Sequence, residues 1–252
     1  MNNNELIYAL NLTPENALEY FQEKGYTFSW KWDELWQQEH SHAFTVAKMM
    51  QLDLLQDTRN IVNSFIKGDV NYKLAMLKLE NRLRAKGWWG MQEIENPNTG
   101  EIENVQLGSP WRLRTILETN LITSISAGKY KTQLDNADFA PWWQYSDQED
   151  ERVRRKHRAL GLLFKNAVLH YTHPFWKTYY PPNDWGCRCF VNTFTDYDVR
   201  SQKLIILKDI PQIFLDKNKP GKGWAYNPGM EKWKPDLSKY DPDLVNLIFP
   251  QK

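Results

Sequence analysis

Apolar residues recur at helical spacing through most of the first half of the chain. In NLTPENALEYFQEKG, Thr13 reads as a cap, Pro14 suits a first turn and Gly25 a stop, which predicts a short helix. From Ser29 to Gly68, Trp32, Trp36, Ala43, Ala47, Met50, Leu54, Ile61 and Phe65 step by three, four or seven, predicting one long amphipathic helix that ends near Gly68. Tyr72, Met76, Leu79 and Leu83 continue the period, so a second long helix should return along the first and stop at Gly87. The polar stretch MQEIENPNTGEIENVQLG contains turn chemistry in NPNTG, and its flanks would either pair as a small hairpin or stay a loop. Ser109 and Pro110 then open a third long helix, whose face of Leu113, Ile116, Leu117 and Leu121 continues into Ser124 and Ala127.

The pattern changes after Pro141. WWQYS and CRCFVNTFT are rich in aromatic and β-branched residues and read as strands, with a basic stretch and a His/Pro/Cys loop between them. The segment from about residue 202 is dense in Pro, Gly and Lys and reads as an extended, irregular arm over the surface. The predicted class is α+β: a helical domain over 1–140, a small mixed α/β domain over 141–201, and a C-terminal arm over 202–252.

Composition narrows the function classes. With 32 Lys and Arg against 31 Asp and Glu, the net charge of +1 gives no global reason to expect a nucleic-acid or membrane partner. No apolar run approaches the roughly 18 residues of a membrane span, and the N-terminus lacks a secretory pattern, so a chain made and kept in the cytoplasm with reduced thiols is expected. The 12 Trp are numerous; core packing explains them most simply, and an interface would also favour them.

Candidate chemistry concentrates in one place. His157, His170, His173, Cys187 and Cys189 fall within 33 residues, and His40 and His42 are the only other histidines. Thiolate and imidazole are zinc ligands, so His157 with Cys187 and Cys189 forms a candidate metal set. The one-residue gap between the cysteines is tighter than in common zinc knuckles, and Pro174 disfavours a helix bringing His170 and His173 together. The alternative places Cys187 and Cys189 on a strand with both thiols inward and Arg188 outward. A third reading makes a thiol the nucleophile of a cysteine- or zinc-dependent hydrolase, with His157 as base and Asp150 or Asp184 orienting it. The cluster DERVRRKHR offers Arg152, Arg154 and Arg155 as DNA contacts, although interspersed acids favour a solvated or salt-bridged segment. There is no Walker loop, dinucleotide fingerprint, HExxH or GxSxG.

Taken in order, ALNLTPENALEYFQEKGYTFSWKWDELWQQEHSHAFTVAK, LRAKGWWG, LGSPWRLRTILETNLITSISAGKY, DERVRRKH, FWKTYYPPNDWGCRC and GWAYNPG resemble the phage Mu F-like minor head proteins, also called head morphogenesis proteins. The resemblance covers most of the chain. It implies a non-enzymatic structural protein of a tailed phage or prophage, binding portal and capsid proteins in head assembly and assisting DNA packaging or ejection. Such a protein sits in the virion head or at the portal vertex, after assembly in the host cytoplasm, and no cofactor is expected beyond the zinc candidate. By match to the family motif, the residues carried over are Arg114, Thr119, Asn120 and Gly128; Asp150, Arg152, Arg154 and His157; Pro181, Pro182, Trp185, Gly186, Cys187 and Cys189; and Asn227, Pro228 and Gly229. His173 stands where the family commonly has Asp, which argues against it as a shared ligand. Longer relatives carry appended toxin or nuclease domains, and none is expected here. In this reading PPNDWG is a rigid turn that aims Trp185, followed by a CRC strand that leaves Arg188 free.

Overall fold

A computed structural model describes residues 14–26, 43–49, 51–96 and 99–230. Helix α1, Pro14–Gln22, opens with the proline as expected, while its proposed cap Thr13 lies outside the described residues. Gly25 does not cap it. Gly25–Tyr26 is a two-residue strand, β1, paired in parallel with β2, Ala43–Phe44.

The long helix predicted from Ser29 to Gly68 is therefore not formed at its described upstream end. Trp32, Trp36 and Met50 lie outside the described residues, Ala43 is in a strand, and α2 runs only from Leu52 to Lys67. The reason lies in a competing pattern: Phe44 and Val46 are both buried at strand spacing, and Lys48 takes a left-handed backbone (φ 65°) that no helix accommodates. Within α2 the expected stripe holds at Leu54 and Phe65, which are buried, while Ile61 is only partly buried and Val62, outside the expected stripe, is fully so; the Thr58 hydroxyl donates to the Leu54 carbonyl at 2.8 Å. Gly68, at φ 88°, ends the helix as predicted.

Helix α3, Tyr72–Ala85, is capped by the Asn71 side chain, which accepts from the Leu74 amide. The Phe65–Tyr72 ring contact at one end and the Arg82–Asp57 ion pair at the other fix it antiparallel to α2. The polar stretch after it pairs as a hairpin, β3 (Met91–Glu95) and β4 (Ile102–Gln106), with Met91 opposite Gln106 and Glu95 opposite Ile102.

Helix α4, Pro110–Asp135, begins where Ser109 accepts from the Arg112 amide at 3.2 Å. Its 26 residues extend roughly 39 Å at 1.5 Å per residue. The predicted face is buried: Leu113, Ile116, Leu117 and Leu121 join the first core with α2 and α3, whereas Tyr130 near its far end belongs to a second core. One helix thus spans both packing units.

The second core surrounds a sheet in the order β7-β5-β6-β8. Its centre is β5, Trp142–Ser146, antiparallel to β6 (Ala167–His170) and to β7 (Phe190–Phe194), while β6 pairs in parallel with β8 (Ile205–Ile206). Alternation on β5 buries Trp143 and Tyr145 against α5 (Arg155–Phe164) and α6 (Phe175–Tyr179). Helix α7, Asp196–Ser201, follows β7 through a reciprocal Thr195–Asp198 capping box. The class is α+β, as expected.

The segment from residue 202 is not irregular throughout. It supplies β8 and helix α8, Gln212–Lys217, and then returns to the core, where Trp224, Tyr226 and Asn227 are buried. Asn227 anchors it: its Nδ2 donates to the Trp176 carbonyl at 3.0 Å and its Oδ1 accepts from the Gly229 amide at 2.9 Å. Removing a buried group that satisfies two backbone partners costs about 2 kcal/mol. Asn227→Ala should therefore lower the urea midpoint and expose the segment after Asn218 to limited proteolysis. No described helix is long and apolar enough to cross a membrane.

Candidate functional site

The loop 181–189 is held in place from several elements. Pro181, Pro182 and Asn183 are buried, and the 181–182 peptide is cis. The Ser126 hydroxyl on α4 donates to the Pro181 carbonyl, the Tyr180 phenol donates to Gln133 Oε1 at 2.7 Å, and the Gly221 amide donates to the Asn183 carbonyl at 2.8 Å. A turn follows, in which the Cys187 amide donates to the Asp184 carbonyl at 3.1 Å. Gly186 sits in it at φ 62°, a conformation that favours glycine. The turn aims Trp185 at the C-terminal segment. This side chain is half-buried, with its ring edge-to-face on Trp224 at 5.1 Å, which joins the PPNDWGCRC and GWAYNPG motifs.

Cys187, Arg188 and Cys189 precede β7 and are not on a strand, contrary to the sequence expectation, because the turn at Asp184–Cys187 delays regular pairing until Phe190. Both thiols nevertheless point towards one group. His157, on the first turn of α5 and 5 % exposed, places Nδ1 at 3.6 Å from Cys187 Sγ and 3.7 Å from Cys189 Sγ. Ligand atoms of the three residues all lie within 4.8 Å of one another, and neither cysteine is in a disulfide. Cys187 is 2 % exposed and Cys189 half-buried.

Electrostatics divide the two thiols. Burial opposes ionisation of Cys187, but hydrogen bonds from Cys189 and His157 overcome it and hold its pKa well below the usual thiol range. Cys189, hydrogen-bonded to that sulfur and partly buried, is pushed far above it. The Tyr145 hydroxyl stands beside the pair, raised well above the ordinary phenol range by burial and then by the cysteines, and finds no hydrogen bond of good geometry among the described residues. Chemically, an imidazole facing two thiols can ligate a soft metal, or pair with a thiolate; the burial of Cys187 closes it to a substrate.

Charged residues frame the cluster in pairs. Arg188 is not free: its guanidinium binds Asp150 in two parallel bonds of 2.6 and 2.7 Å. That contact holds the Asp150 pKa down, at about 2 against 3.8 for an unperturbed Asp. Because the folded value is depressed, the pair's contribution is present above about pH 4 and is lost as pH falls towards 2. Arg188→Gln should flatten the loss of stability over that window, which acid unfolding followed by circular dichroism would show.

Arg158 pairs with Asp147 at 3.1 Å, and Arg154 with Asp184 at 3.4 Å and the Trp185 carbonyl at 2.7 Å. Arg152 lies 3.8 Å from Asp150. Arg152, Arg154 and Arg155 are exposed. The remaining candidates sit elsewhere: His170 Nδ1 is 2.8 Å from the Thr172 hydroxyl, and His173 is 3.5 Å from Asp209. On α4, the Asn120 side chain donates to the Ile116 carbonyl at 2.9 Å, and Gly128 meets α1. His40 and His42 lie outside the described residues. Tyr145, Asn183 and Ser126 were not singled out by sequence reasoning; only the alternation on β5 carried a signal for Tyr145.

The sequence profile described as "Phage Mu protein F like protein" matches residues 60–192, which include the whole cluster. Over 89 % of its length the chain is 34 % identical to "Putative capsid assembly protein F" of Escherichia phage Mu, covering 56 % of that protein. Over 83 % it is 35 % identical to "Mu-like prophage FluMu F protein" of Haemophilus influenzae (strain ATCC 51907 / DSM 11121 / KW20 / Rd), covering 55 %. The chain thus spans about half the length of these curated relatives. No solved structure matches it.

Proposed function

Because the chain belongs to the phage Mu protein F-like family, we propose that it acts in head morphogenesis of a tailed phage or prophage, as a minor head protein that binds portal and capsid subunits. The observation that carries this reading is the similarity across most of the chain to a protein named for capsid assembly. The buried Cys187 supports the same direction, since a nucleophile must meet its substrate.

The protein works by binding, in the host cytoplasm during assembly and then in the virion at the head or portal vertex. Exposed large apolar side chains are available to dock partners, among them Trp111 at the start of α4 and Phe139 after its end. Contact with packaged DNA through Arg152, Arg154 and Arg155 belongs to the same reading; nearby Asp150 and Asp184 make it weak and strongly salt-dependent.

Deletion of the reading frame from the encoding phage or prophage tests the proposal. DNA-filled heads should disappear and return on complementation, with the protein sedimenting with the heads. Unchanged yields of filled heads lacking the protein would overturn it.

A further inference from the structure

We propose that His157, Cys187 and Cys189 bind one zinc ion that clasps the start of α5 to the loop before β7. The proposal is independent of the head-assembly reading.

Geometry is the first argument. A tetrahedral zinc with bonds of about 2.3 Å to sulfur and about 2.1 Å to nitrogen holds each sulfur about 3.6 Å from the nitrogen. The observed separations from His157 Nδ1 are 3.6 and 3.7 Å. An ion therefore needs no rearrangement of the imidazole against either thiol.

Donor chemistry is the second. Two thiolates and an imidazole form a soft, borderline set that selects zinc over magnesium or calcium. Two thiolates also neutralise a divalent charge, which suits a site this buried. The two cysteines, separated only by Arg188, are poorly placed for a relaxed disulfide, and both are free.

The surroundings are the third. The Cys187 amide donates to the Asp184 carbonyl at 3.1 Å, and the Gly221 amide to the Asn183 carbonyl at 2.8 Å, so the backbone that carries this ligand is held in place. Arg188 cannot swing its neighbours away while Asp150 grips it. The converging ligand atoms belong to His157, Cys187 and Cys189 and not to Asp147, so the cluster offers three protein ligands, and a water completes the tetrahedron. The Tyr145 hydroxyl, buried beside Cys189 and without a well-formed hydrogen bond among the described residues, is a polar group that such a water would meet.

The test uses the untagged 252-residue chain. Elemental analysis should find one zinc per chain, lost in Cys187→Ser and His157→Ala. Replacing zinc with cobalt in the wild-type protein should give thiolate-to-cobalt charge transfer and the intense visible bands of a tetrahedral site, a readout that stands even if a variant fails to fold. A folded wild-type protein with little metal and no thiolate–cobalt bands would overturn the proposal. So would zinc retained at one per chain in folded variants, since the ion would then lie elsewhere.

Discussion

Trp143→Ala should destabilise the protein by about 3–5 kcal/mol, a large share of the 5–15 kcal/mol that holds a typical domain. The side chain is 0 % exposed on β5, the strand flanked by β6 and β7. Its ring meets Tyr130 of α4 at 5.7 Å and Trp176 of α6 at 5.6 Å, and Tyr171 and Tyr180 at 6.0 Å each. Strand, helices and the residue before the diproline therefore meet on one indole. Pairing on both edges prevents β5 from moving into the vacated space, so the cavity would stay open. Among the described residues the indole N–H has no hydrogen-bond partner, a cost that packing outweighs. Trp143→Phe removes that cost with part of the volume and should retain most of the stability. Urea unfolding followed by circular dichroism separates these outcomes; a loss below about 1 kcal/mol for alanine would show that the sheet does not depend on this ring.

Much of the helical half was legible because single residues decide its boundaries. Ser109, Pro110, Gly68 and Gly87 act where the sequence placed them, since capping and left-handed stops are local chemistry. Residues 43–49 were misread because the apolar spacing of Ala43, Ala47 and Leu54 satisfies a helix, while burial of Phe44 and Val46 follows a strand. Pairing of β2 with β1, across residues 27–42, resolves that conflict, and such a long-range contact leaves no local mark. The tail was misread for a similar reason, since among the described residues β8 pairs with no strand but β6. At the site, residue types pointed to His157, Cys187 and Cys189. Their meeting required α5 to fold against β5, and the Arg188–Asp150 pair, 38 residues apart, had no signature in spacing.

Gly128 gives a second large effect, and its sign separates two physical causes. In the interior of α4, helix propensity alone says that Gly128→Ala should stabilise by about 1 kcal/mol. Yet a Cβ at this position would stand 2.9 Å from the Ala17 amide nitrogen and 3.2 Å from the Asn16 carbonyl carbon, both backbone atoms of α1. Backbone cannot rotate aside as a side chain can, so α1 must move as a unit. Around that contact, Asn16 donates to the Thr132 hydroxyl at 3.2 Å and Glu19 pairs with Lys131 at 2.8 Å, and Phe21 is fully buried in the first core. A displaced α1 loosens all three. Gly128→Ala should thus destabilise despite its better propensity, and Gly128→Leu should cost about 3 kcal/mol or more. Hydrogen exchange should lose protection over 14–22 first, leaving the sheet around Trp143 protected. Stabilisation by alanine would mean that α1 can back away freely and that the glycine is not required for close approach.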